Sequence, residues 1–165
     1  MLRLAERDLY RPLWSDRILQ EAEQATVRIH TDTDPAILQR RFRSMTAAFE
    51  DAEVTGWQHL EGGLDLPDPD DNHVLAAAIT GRADAIITAN LDDFPAHVLA
   101  EHGLHALSPD DFLLDLVDLS AGDVLRMLGE QAEATRNPAL TVSAILGSLS
   151  RAGVPRFAAE VTRHM

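Results

Sequence analysis

Asp65, Asp68, Asp70 and Asp71 put four carboxylates within seven residues of the stretch LDLPDPDDNHVLAAA. Carboxylates packed this closely repel one another, and a hard divalent cation with oxygen ligands is the simplest species that offsets the repulsion. A second acidic loop, Thr88-Ala89-Asn90-Leu91-Asp92-Asp93-Phe94, follows a short apolar run. Taken alone, each loop reads as ordinary capping: Asp70 or Asp71 before a helix, and Asp93 before Pro95. The pair carries more weight. Adjacent parallel strands set their C-terminal loops side by side, about 5 Å per strand step, at the edge where open α/β sheets place their chemistry. Carboxylates of the two loops could share one metal there, and Asp71 is favoured, because Asp65 and Asp68 sit further out in a proline-broken loop. Glu21 borders the apolar face of an earlier helix. It is either a solvated flank residue or a third carboxylate over the sheet edge.

Those side chains need elements to hold them. Leu2, Leu4, Ala5 and Leu9 read as the end of a helix over 1–8. Leu9–Trp14 reads as a short strand, weakened by Pro12, which cannot donate to a ladder. Ser15 or Asp16 caps a helix with Ile18, Leu19, Ala22, Ala25 and Ile29 at helical spacing. His30–Asp34 is a turn, and Asp34-Pro35 starts a helix with Leu38, Phe42, Met45 and Phe49 in one stripe. Val54–Trp57 reads as a strand and Gly62-Gly63 as a loop. Val74, Leu75, Ala78 and Ile79 give the buried face of an Ala-rich helix that stops at Gly81. Ala85–Thr88 suits a strand covered on both faces. Pro95 opens a helix to Gly103, Leu104–Leu107 is a last strand, and Ser108-Pro109-Asp110-Asp111 is a helix start in full. From about Leu119 the alternation ends. Helices follow over 123–136 and 142–150, split by Asn137-Pro138, and a final helix over 155–165. The fold class is α/β: a parallel sheet flanked by helices over 1–118, with a helical C-terminal extension over 119–165.

Bulk properties narrow the function. The chain has 165 residues, 45% of them hydrophobic, enough for a real core. Fourteen basic residues against 27 acidic ones leave a formal net charge of −13, a poor basis for coating nucleic acid through phosphate contacts. Such a chain still suits an enzyme that meets nucleic acid through a metal, or a tight complex with a basic partner. There is no cysteine, so disulfides, thiolate catalysis and Cys-type zinc sites are excluded, which fits a reducing cytosol. No apolar run has signal-peptide or membrane-spanning length. These features predict a soluble cytoplasmic protein. The histidines form no HExxH or H-x₃-H pair, although His73 adjoins the acidic loop. No GxGxxG, GxxxxGK[ST] or GxSxG motif occurs. Arg40, Arg41 and Arg43 make a small basic cluster, either a solvated face or a phosphate contact.

The pattern D-x-x-[VI]-[LI]-A-A-A at Asp71–Ala78, followed by I-[IV]-T-x-N-x-x-D-F at Ile86–Phe94, resembles the PIN domain family, and within it the VapC-like bacterial toxin branch. RPLWSDRIL-x-E at Arg11–Glu21 and the helical extension resemble that branch too. The resemblance implies a Mg²⁺- or Mn²⁺-dependent ribonuclease, with an antitoxin protein as partner and RNA as substrate. Homodimerisation stays open. Carried over, Asp71, Asp93 and Glu21 match the acidic metal-site positions, and Thr88 and Asn90 match the supporting loop. Family members begin with a buried strand that ends in an aspartate, and this sequence begins at the helix that follows it. The PIN-like domain is therefore expected to be N-terminally incomplete, and a catalytically inactive module acting through protein contacts is the rival reading. A Mg²⁺-dependent phosphatase is a weaker third option, because it needs a first-strand aspartate nucleophile.

Overall fold

The structure, a computed structural model, describes residues 1–29, 31, 33–135 and 139–165. Part of the turn expected over 30–34, the break at Asn137-Pro138 and the helix end at Arg136 lie outside the described residues. The chain divides into two compact units. One comprises Met1–Arg11, Ile87–Leu91 and Leu107–Met165; the other comprises Pro12–Ile86 and Asp92–Ala106. The first is called the helical unit below, and the second the acidic-loop unit.

The fold class is α/β, with far more helix than strand and a helical C-terminal region. Strands β1 (Ala85–Ile87) and β2 (His105–Leu107) form a small parallel sheet. Two further expected strands are absent. Over Leu9–Trp14 the only ladder element is a parallel bridge from Trp14 to Glu53, made by Trp14 N–H to the Ala52 carbonyl at 3.0 Å and Val54 N–H to the Trp14 carbonyl at 2.8 Å. Pro12 cannot extend it. Val54–Trp57 turns away at Gly56, whose φ of +78° is left-handed. Within β1, Ile86 is buried and its neighbours are half-buried, so the strand is less covered than its apolar run suggests.

The helical unit is built on α1 (Leu2–Ala5), α7 (Pro109–Ala134), α8 (Val142–Arg151) and α9 (Pro155–His164). Their apolar stripes meet in a core that includes Leu4, Leu116, Val124, Leu128, Leu146 and Phe157. Ser108 starts α7 by accepting the Asp111 N–H at 3.1 Å. The helix does not end near Leu119. It kinks at Ser120 (φ −157°, ψ 80°) and continues. Ser120 Oγ donates to Asp123 Oδ2 at 2.8 Å, so a Ser-x-x-Asp pair restarts the helix as a cap would. Asp110, which sequence places in the acidic first turn of α7, is buried. Its carboxylate accepts Phe157 N–H at 2.8 Å and Arg156 N–H at 3.1 Å. It therefore caps α9, whose own N-cap, Val154, has no side chain able to do so.

In the acidic-loop unit, α2 (Asp16–Ile29) is capped by Ser15, whose Oγ accepts Ile18 N–H at 3.2 Å. α3 (Pro35–Ala48) is capped by Asp34, which accepts Ala36 N–H at 2.9 Å. These two helices pack on each other, yet α2 buries no residue fully and α3 buries only Leu38. The short α4 (Gln58–Glu61) packs on α5 (Asn72–Gly81). α5 is buried around more of its circumference than the predicted stripe. Leu75 and Ala78 face a core with Leu66, Ile86, Phe94, Leu99 and Leu104, while Ala76 and Ala77 lie against Trp57. Gly81 ends α5 for a packing reason. A Cβ there would stand 2.8 Å from Val54 Cγ2, and the left-handed cap residue is Arg82 (φ 52°). α6 (Ala96–Ala100) is shorter than expected; its chain turns before Gly103, at φ +71°.

Candidate functional site

Asp71 closes the 3₁₀ turn Pro69–Asp71 and immediately precedes α5. The turn is shaped locally: Asp68 accepts Asp70 N–H at 2.9 Å. Asn72 then fastens the loop to the helix, its Oδ1 accepting Leu66 N–H at 3.1 Å and its Nδ2 donating to the Leu64 carbonyl at 3.0 Å. Asp93 closes a second 3₁₀ turn, Leu91–Asp93. Both carboxylates are half-buried and belong to the acidic-loop unit. The Asp71 carboxyl is held above its ordinary value, first by burial, then by the negative charges of Asp93 and Asp68, with Glu21 adding to the effect and His73 opposing it. The two acidic loops are therefore close enough to sense each other.

Glu21 is on α2 in the same unit, and each of its oxygens has a neighbour. Oε1 accepts from Arg17 Nε at 3.1 Å, and Oε2 lies 3.2 Å from His73 Nε2. The second contact is not a charged pair at neutral pH. His73 is fully buried, and burial is the main reason its imidazole pKa is depressed. The contact also lacks hydrogen-bond geometry, and neither ring nitrogen has a hydrogen-bond partner. The ring rests at 5.9 Å from that of Trp57. Arg17 is the residue that sequence reading missed. Besides Glu21 it holds Glu61 Oε1 at 2.8 Å and reaches the Asp70 carbonyl at 3.4 Å. Its i,i+4 spacing to Glu21 was a visible signal; its reach to Glu61 and Asp70 was not.

Thr88 and Asn90 lie in the helical unit. Thr88 Oγ1 accepts Asn90 N–H at 3.0 Å, a local turn that stiffens the segment after β1. Asp65, Asp68 and Asp70 are exposed, as their position in a proline-broken loop suggests. Among the described residues, no three His, Asp or Glu side chains are gathered tightly enough to cage a metal ion. The donor chemistry nevertheless fits a hard cation. Mg²⁺ is ordinarily held by one or two carboxylates, with water and substrate phosphate completing the shell, and two mutually repelling carboxylates are present in Asp71 and Asp93.

The PIN domain family model matches residues 1–92, and the model of the VapC50 C-terminal domain matches residues 109–163. This chain belongs to the PIN domain family, with a C-terminal region of the kind found in VapC50. A relative described as "Putative ribonuclease VapC50", from Mycobacterium tuberculosis, is 41% identical over 93 residues, which is 56% of this chain and 54% of the relative. The chain thus spans about half the length of that curated relative. No solved structure matches.

Proposed function

We propose that this chain is a metal-dependent endoribonuclease of VapC-like toxin type. The observation that carries the reading is the half-buried Asp71 carboxyl beside Asp93, held above its ordinary value first by burial and then by the charges of Asp93 and Asp68, with Glu21 adding to them. An acidic site that strains against its own charge is poised for a cation. Asp71 and Asp93 would hold Mg²⁺ or Mn²⁺. Bound there, the cation supplies Lewis acidity toward a phosphate oxygen and the attacking water. Glu21 is the third carboxylate of the site. Held by Arg17 on one oxygen, it has the other available to orient water or accept a proton, because His73 beside it is neutral. Thr88 and Asn90 stiffen the loop after β1. Arg17 tethers the Asp70 backbone and so positions the residue before Asp71. The domain division we propose, 1–118 and 119–165, is supported by the kink at Ser120.

The partners that follow are RNA and a cognate antitoxin, with the cytoplasm as location. Among the described residues no helix is long and apolar enough to cross a membrane. One observation favours the second reading, an inactive module acting through protein contacts or homodimerisation. α2 has no fully buried residue, and Ile29 and Ile37 are 74% and 44% exposed at the α2 and α3 ends.

The test is cleavage of a labelled structured RNA by the full chain in Mn²⁺ or in EDTA, beside Asp71→Asn. Cleavage that needs the metal and falls at least ~100-fold in the variant, in the range expected for an essential catalytic group, supports the nuclease. A folded chain that leaves the RNA intact in Mn²⁺ refutes it.

A further inference from the structure

All fourteen basic residues of this chain are arginines. Among the described residues five are already neutralised: Arg7, Arg17, Arg126, Arg156 and Arg163 each pair with a carboxylate. Arg40, Arg41 and Arg43 are different. All three are exposed, and among the described residues none of their guanidinium groups has an ion-pair or hydrogen-bond partner. They lie on α3, which contains no acidic residue at all. At 100° per residue, Arg40 stands opposite the side that buries Leu38 and half-buries Phe42 and Met45. Arg43 is its neighbour one turn on, and Arg41 flanks it. Ser44 and Ala47 fill the space between without competing charge. Three adjacent unneutralised cations repel one another. On a protein of net charge −13, the sequence could have placed an acid among them and has not.

We propose that this outward face of α3 binds the phosphodiester backbone of RNA that flanks the carboxylate site; the inference rests on the nuclease reading. α3 packs on α2, the helix that carries Glu21, within one unit. The acidic loops repel RNA wherever no cation screens them, so a strand drawn to Asp71 and Asp93 needs attraction from elsewhere on the same unit. Guanidinium groups fit that purpose because they fork onto phosphate oxygens and stay charged at any working pH. Such contacts position RNA without reading its sequence.

The test is binding of a fluorescent single-stranded RNA by the full chain in EDTA, where no cleavage occurs, over a series of salt concentrations. Wild type is compared with Arg40→Ala/Arg41→Ala/Arg43→Ala and with the matching triple lysine variant. Single Arg40→Ala and Arg151→Ala variants remove the same charge at two places. Circular dichroism and melting temperature establish that each variant folds. The expected result is a loss on the order of 10- to 100-fold in the triple alanine variant, with the slope of log affinity against log salt reduced by about 2. The lysine variant should keep most of the slope, and Arg151→Ala should bind as wild type does. Equal binding by wild type and triple alanine variant overturns the inference. So does equal weakening by Arg40→Ala and Arg151→Ala, which would reduce the effect to net charge. Polyglutamate of matched length that binds wild type as tightly as RNA also overturns it, and assigns the face to an acidic protein. Asp71-dependent cleavage, measured separately in Mn²⁺, decides the nuclease reading independently of these outcomes.

Discussion

Replacing Asp110 with alanine should release the start of α9 from the helical unit. Asp110 is 8% exposed and accepts two backbone N–H groups, those of Arg156 and Phe157. Phe157 is 1% exposed, so its N–H cannot readily turn to water. Pro155 lacks an N–H, and Val154 offers no cap, so nothing local replaces the carboxylate. Losing an ordinary helix cap costs about 1 kcal/mol, up to about 2. Losing two hydrogen bonds to a charged acceptor costs about 1.5–3 kcal/mol each before relaxation. A value of about 2–4 kcal/mol lies between these bounds. Asp110→Asn keeps one acceptor oxygen and should cost about half as much. Tryptophan fluorescence is the wrong probe, because Trp14 and Trp57 belong to the acidic-loop unit. Amide hydrogen exchange over 154–164 reads the event directly. At 1.4 kcal/mol per decade, exchange there should quicken by roughly 30-fold to 1000-fold in Asp110→Ala. An increase below about threefold would refute the argument that this buried carboxylate holds α9 in place.

Gly81→Ala should destabilise the acidic-loop unit by about 1–2 kcal/mol, seen as a lower urea midpoint by tryptophan fluorescence. The added Cβ meets Val54 Cγ2 at 2.8 Å and Leu13 Cδ1 at 3.1 Å, and overpacking against a stiff β-branched neighbour outweighs the gain in helix propensity. An unchanged or higher midpoint would mean that Val54 gives way. The pH dependence of metal-free stability should differ between His73 and Asp71. The depressed His73 pKa means that its contribution is intact above the unfolded value of about 6.5 and is lost as pH falls below it toward the folded value. Thermal melts of His73→Leu should therefore show a shallower decline below pH 6.5 than wild type. The raised Asp71 pKa acts in the other direction: its penalty is present at neutral pH and is relieved as pH falls through the folded value. Asp71→Asn should accordingly melt higher than wild type at pH 7 without metal. A lower melting temperature would contradict the cost of burying a charged Asp71 beside Asp93 and Asp68.

What could be read from the sequence alone was whatever rests on neighbours in the chain. Ser15, Asp34-Pro35, Ser108-Pro109 and Pro155 mark helix starts because cap chemistry spans three residues. The two acidic loops and the motif of the PIN family are contiguous in sequence, and so are legible there. Tertiary structure decided whatever depends on a distant partner. Leu9–Trp14 and Val54–Trp57 have strand-like residues, yet they share only one bridge, since a strand exists only when another segment pairs with it. Gly81 reads as a conformational stop but is small because Val54 comes from elsewhere in the chain to meet it. Asp110 reads as a first-turn acid of its own helix and also caps another, 46 residues further on. Arg17 reads as half of a local pair with Glu21, but folding also brings it Glu61 and the Asp70 carbonyl. In each case the residue type set what chemistry was available, and the fold set which group received it, because burial and hydrogen bonding are properties of three-dimensional neighbours.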